Sequence, residues 1–167
     1  KIKHSFGVQG SFVKTINFEN SEDFLIPDAS VFESGIYYLA SASLDSWYLQ
    51  GALRYDYRQV TADASAAYLI VDDFILPGDP ENRKLTREFR GLTGSLGASK
   101  TFDNQQQLKL NFSTGFRAPD LAELFSNGPH PGTNRFEKGN DTFGREQSYQ
   151  VDATYSFRKN KFKSNVS

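Results

Sequence analysis

A lone histidine between prolines and a run of alternating charges are the side chains here whose type and spacing suggest chemistry. His130 stands between Pro129 and Pro131 in a Gly/Pro-rich stretch. Prolines on both sides stiffen the backbone and present the imidazole, and a neutral imidazole binds Zn or Fe. One ligand is not a site, so a solvated or loop-packing histidine is the plainer reading. Arg54, Asp56 and Arg58 recur at every second residue, the spacing that lines one face of a strand. There they would steer an anion or bond to neighbouring strands, and the second role is the simpler. Asp72, Asp73 and Asp79 offer carboxylates to a cation, but their spacing matches no EF-hand loop, which leaves a solvated acidic loop. His4 falls on an apolar face near a strand start and reads as a structural ring. No Gly-x-Ser-x-Gly or phosphate loop is present. With 0 Cys there is no thiolate nucleophile, thiolate metal site or disulfide scaffold. The reading is a non-enzyme with no cofactor.

The elements that hold these residues follow from composition and period. Lys and Arg total 19 against 20 Asp and Glu, so a net charge of -1 leaves no bulk field for nucleic acid. The longest apolar run, 66–71, falls far short of the ~20 residues of a membrane helix. Rings are plentiful: 15 Phe, 8 Tyr and 1 Trp in a chain only 38% hydrophobic, which suits a β protein with rings at an interface.

Period-two alternation predicts strands over 2–17, 32–44, 47–61, 87–102, 107–116 and 146–157, with a seventh starting at 162. Leu108, Leu110, Phe112, Thr114 and Phe116 share one face of the fifth, with Lys109, Asn111 and Ser113 opposite. Short turns at 45–46, 103–106 and 158–161 alternate with long connections at 18–31, 62–86 and 117–145. All six prolines lie in the long ones. In an up-and-down sheet every long loop then emerges from one end, an asymmetry of outer-membrane barrels. Rings near the tight turns (Trp47, Tyr48, Phe102, Phe157) and toward the long loops (Phe32, Tyr55, Tyr57, Phe89, Phe116) suggest two girdles. Lys100 falls on the lipid-side face near the turn end, where its stem can snorkel. The expected fold is all-β: an antiparallel up-and-down meander of about seven strands, part of a larger transmembrane β-barrel. The alternative is a soluble β-rich binding or structural domain, which would turn the same rings inward.

The third long loop carries a more specific pattern. Gly115, Phe116, Arg117, Ala118 and Pro119 end a strand. Glu123, Leu124 and Phe125 form the core of a short helix that Pro119 is placed to start, with Leu121, Leu124 and Phe125 on the face that packs down onto the barrel mouth. A Gly/His/Pro-rich stretch over 127–133 follows, then Phe136 to Asn140, and Glu146 opens the next strand. This ordered set resembles the strand-to-loop signature of TonB-dependent outer-membrane receptors, and Leu53 to Tyr57 resembles another recurrent strand of those barrels. The resemblance implies an active-transport receptor in the outer membrane of a Gram-negative bacterium. Its ligand would be an iron chelate (siderophore or haem) or zinc, and its partners outer-membrane lipid and a TonB-type energy-transducing protein. Residues 1–167 would be an internal piece of the barrel, without the plug domain and the remaining strands. It also implies ligand-binding roles for His130, Arg117, Arg54 and Arg58, with His130 as the metal ligand, as in haem- and zinc-uptake members.

Overall fold

The computed structural model describes residues 1–18, 25–63, 70–71, 74–75, 84–103, 105–130, 132–133, 135–159 and 162–167. Seven long strands pair in one antiparallel sheet: β1 (Ile2–Thr15), β2 (Ala29–Leu44), β3 (Trp47–Asp63), β6 (Lys84–Asp103), β7 (Gln106–Arg117), β10 (Glu146–Lys159) and β11 (Phe162–Val166). Neighbours in the sheet are neighbours along the chain. Two short hairpins lie in the long connections: β4 (Ile70–Val71) with β5 (Phe74–Ile75), and β8 (Asn127–Pro129) with β9 (Phe136–Lys138). One helical turn, α1 (Leu121–Phe125), precedes β8. The predicted strands are all present and end within three residues of expectation. Asp45, at positive φ (47°), makes the two-residue turn between β2 and β3. Asp72, Asp73 and Asp79 lie outside the described residues.

The faces distinguish a barrel wall from a soluble sheet. Phe6 (85% exposed), Leu96 (69%) and Val151 (76%) project from the apolar face into the surroundings. Among the described residues nothing covers that face, whereas a soluble domain would bury it. On β6 it runs from Leu92 to Phe102. With about 3.4 Å rise per residue and a tilt of roughly 40°, that span is about 26 Å tall, close to the ~25 Å apolar band of outer-membrane barrels. At its lower edge the Lys100 ammonium lies 5.0 Å from the Trp47 ring centre and 5.3 Å from that of Phe102. The cation thus sits among girdle rings instead of acyl chains. His4, on the same face, stacks on Tyr38 and bonds its hydroxyl at 2.6 Å.

Above this band the polarity of the wall inverts. Gln59, Thr61, Thr86, Glu88 and Arg90 occupy the outward positions, while Val31, Val60, Ala62 and Phe89 are buried on the inner face. Three expected girdle rings are therefore not in a girdle. Phe89 has odd parity on β6, which turns it inward with Gly91 and Thr93, and it is buried. Tyr48 shares the inner face with Gln50 and lines a recess there. Phe116 leaves the apolar face because β6 and β7 part company. Their ladder ends at Ser95↔Ser113, and the Thr114 hydroxyl then takes the Gly94 amide at 2.9 Å. Beyond that point the Phe116 ring lies over Gly91, whose missing Cβ leaves room for it.

Sequential antiparallel pairing puts the connections around 16–28, 64–83 and 118–145 at one end and the tight turns at the other. Single cysteines at Asp45 and Thr133 of the full receptor should report this in intact cells. We expect an impermeant thiol reagent to label the Thr133→Cys protein alone; labelling of Asp45→Cys alone would reverse the topology.

Candidate functional site

The third long connection does not stand away from the barrel. It folds back over the inner face. Five residues make too short a helix to persist by propensity, so α1 is held by its cap and its packing. Asp120 is the N-cap: its carboxylate accepts from the Glu123 amide at 2.8 Å, and Glu123 accepts from the Asp120 amide at 3.0 Å. The sequence expectation that Pro119 opens the helix is off by two positions, because the reciprocal Asp120–Glu123 box fixes the start at Leu121. Leu124 and Phe125 bury against Ala29, Val31, Val60, Ala62 and Phe89, with Phe116, Ala118 and Leu121 packed around them. Burying two such side chains contributes roughly 1.5–3 kcal/mol each.

The chain then returns beneath the helix. The Gly139 amide donates to the Ser126 carbonyl at 2.6 Å and the Asn140 amide to that of Glu123 at 2.8 Å. A Cβ on Gly139 would lie 2.7 Å from the backbone of Leu124 and Phe125, so only glycine passes here. The Asn140 carboxamide accepts from the Thr142 amide at 2.9 Å and closes the next turn. The Asn127 amide donates to the Leu25 carbonyl, which ties this loop to the first one.

Arg117 locks the arrangement. Its guanidinium grips Glu123 through Nη1 (2.7 Å) and Nη2 (3.0 Å), and Glu146 through Nε (2.9 Å) and Nη2 (2.7 Å). One side chain thereby joins the end of β7, the helix and the start of β10 by four charge-assisted bonds. The Arg117 bond, then the Asp120 amide, holds the Glu123 carboxyl below the ordinary carboxylate range. A depressed value means the stabilisation is complete at neutral pH and is lost as pH falls through the folded value. Proteolysis of the third loop in the full receptor should be unchanged from pH 8 to pH 5 and rise below about pH 4, using an acid-active protease at the low end. Glu123→Gln should already be cut faster at pH 7. Equal resistance of both proteins at every pH would refute the lock.

Beneath the loop lies an open recess of about 360 Å³ on the inner face. It brings three of the four expected ligand-binding residues together: Arg54, Arg58 and Arg117 all line it. Each is committed to carboxylates. Arg54 Nε donates to both Asp56 oxygens at 2.8 Å, and Arg58 Nη1 to Glu33 at 2.6 Å. Gly35 makes the first pair possible, since a Cβ there would fall 2.6 Å from both Arg54 Nη2 and Asp56 Oδ1. Arg54 is thus paired within β3 and reaches Gln9 on β1 at 3.2 Å, while Arg58 and Arg117 bond to neighbouring elements, so the three positive charges in the recess are matched by carboxylates.

His130 lies elsewhere. It sits half-buried at the tip of the β8–β9 hairpin, donating its amide to the Arg135 carbonyl at 2.7 Å and accepting from the Thr133 amide. It is not part of the recess. Among the described residues no three His, Asp or Glu side chains converge in a metal-binding group. What sequence reasoning missed is the partnership of Arg117 with Glu123 and Glu146, and Gly91 as the seat of Phe116. The first was visible as an ordered Arg…Glu…Glu set, the second only through the register.

An apolar face turned outward, a polar inner wall and long loops gathered at one end define the wall of an outer-membrane β-barrel. Residues 4–167 match the TonB-dependent receptor-like β-barrel family, and the chain belongs to it. Its place is the outer membrane of a Gram-negative bacterium. Among solved structures the chain is similar to one described as "Copper transporter OprC". The TM-score is 0.68 over 98% of this chain, at 15% identity. The chain spans 26% of the length of that protein.

Proposed function

We propose that this segment is part of a receptor that takes up a metal-bearing ligand across the outer membrane. The energy would come from a TonB-type protein, and a plug domain and further strands elsewhere in the receptor would complete the barrel. The segment supplies wall and a mouth shelf. The observation that carries this reading is the third loop, capped, packed and latched over the lumen by Arg117, Leu124 and Phe125. A loop built inward narrows the mouth around whatever enters. The proposed ligand is a preformed iron chelate, a siderophore complex or haem, with zinc as the bare-ion alternative. The segment has 0 Cys and 0 Met, so it brings no sulfur ligand for a soft ion such as the copper named for the similar transporter.

The test is binding to the full receptor of a ferric siderophore, haem, Zn²⁺ and Cu²⁺ in parallel, in wild type and His130→Ala. For haem or zinc we expect the variant to lose about tenfold in affinity, equivalent to about 1.4 kcal/mol, because an imidazole is a direct ligand to either. For a siderophore complex the variant should bind as wild type, since that metal is already saturated. Failure of wild type to bind any of the four would overturn the proposal.

A further inference from the structure

The inner wall changes character from mouth to turns. Near the mouth, Arg54, Arg58 and Arg117 each meet a carboxylate. Near the tight turns a second open recess, of about 390 Å³, is lined by Lys109, Arg158 and Lys163 with Gln106, Gln107 and Asn165. All three cations are exposed and, among the described residues, none makes an ion pair. The register explains the clustering. Arg158 pairs with Lys163 across β10–β11, and Lys109 lies opposite Thr154 on β7–β10. All three positions have inward parity. Like charges directly across a ladder are destabilising, and among the described residues no carboxylate comes within ion-pair distance of these cations. Three cations ringed by amide donors on a wall backed by low-dielectric strands concentrate field on the lumen.

We propose that this lower recess binds the carboxylates of an anionic cargo as it leaves the lumen at the turn end. The inference rests on the uptake reading above and narrows it: the cargo is a carboxylate-bearing chelate, and a bare Zn²⁺ or Cu²⁺ ion is excluded. Lys109 and Lys163 act as mobile point charges, and Arg158 grips one carboxylate in a fork. The amides of Gln107 and Asn165, which share the inner face with the cations, donate to the remaining oxygens.

The experiment uses the full receptor in energised cells, with haem and ferric citrate as probes because both carry carboxylates. The variant is Lys109→Gln/Arg158→Gln/Lys163→Gln, with outward-facing Lys84→Gln as control. Surface capture is measured on de-energised cells and uptake on energised ones. We expect capture in the triple variant within twofold of wild type, uptake of the captured probe reduced about tenfold, and the control unchanged in both. Uptake equal to wild type would overturn the inference while leaving the receptor reading intact. So would a triple variant that leaks large solutes before any probe is added, since the cations would then be seating another part of the receptor. Wild type that captures Zn²⁺ or Cu²⁺ but neither probe would also overturn it. If wild type captures no metal-bearing ligand at all, the failure is that of the uptake reading itself.

Discussion

Leu96→Arg should destabilise the folded receptor in lipid by about 2–4 kcal/mol, the cost of a cation on the lipid face near the bilayer midplane. Leu96 lies on β6 midway between Leu92 and Phe102 and is 69% exposed. In water such a position would welcome a charge. In hydrocarbon it strands one far from either headgroup layer, beyond the reach of snorkelling. Ser95, one residue away, faces the polar inner wall, and Ser95→Arg should cost little. The measurement is the urea midpoint of refolding into vesicles for both variants of the full receptor. Equal midpoints would undo the face assignment, because the two changes differ only in the side of the strand on which the charge is placed. The converse pattern, with Ser95→Arg the damaging one, would return the chain to the soluble sheet that the alternation alone also permits.

The strands were legible because a strand writes its two environments into alternate residues. Leu108, Leu110 and Phe112 against Lys109, Asn111 and Ser113 need no context to be read. Which side faced lipid was not legible in that alternation and needed the exposure of Phe6 and Leu96. The inversion above the membrane was present in the sequence, in Gln59-Val60-Thr61-Ala62 and Glu88-Phe89-Arg90, but its phase is continuous with the stretch below. Counting rings by distance from the loops therefore assigned Phe89 to the wrong face. Phe116 was illegible for a different reason. Its turn inward depends on where β7 stops pairing with β6, a long-range register that the Thr114 hydroxyl ends. At the mouth, residue types alone placed Arg54, Arg58 and Arg117 among the candidates, and the structure gathers them around one recess. The partner of Arg54 is Asp56, two residues along the same strand, but those of Arg58 and Arg117 come from β2, α1 and β10, and only folding shows that Glu33, Glu123 and Glu146 arrive there.

Leu124→Ala should undock the third loop without unfolding the wall. Leu124 is 2% exposed and is the largest fully buried side chain of the inner cluster. Its truncation removes apolar burial and leaves a cavity, at about 2–5 kcal/mol for a Leu→Ala change in a packed core. The five-residue helix has no intrinsic stability to absorb that loss. The remaining ties are the Phe125 ring, the backbone bonds of Asn127, Gly139 and Asn140, the Asp120–Glu123 box and the Arg117 lock, of which the last two are solvent-exposed and screened by salt. Hydrogen exchange on the full receptor reads the effect directly. The amides of Leu124, Ser126, Gly139 and Asn140, which bond within the loop, should exchange at least tenfold faster, since each 1.4 kcal/mol is a factor of ten in the opening equilibrium. Amides in the β7–β10 ladder from Leu108 to Ser113 should keep their rates. Leu121→Ala, at a partly buried position on the rim of the same cluster, should produce a smaller change in the same direction. Raised salt should add to the Leu124→Ala effect, because the Arg117 pairs to Glu123 and Glu146 then carry a larger share of what holds the loop. If all four loop amides kept wild-type protection, the loop would be held by its ends alone, and the mouth shelf would not be the packed element that its buried leucine and phenylalanine make it.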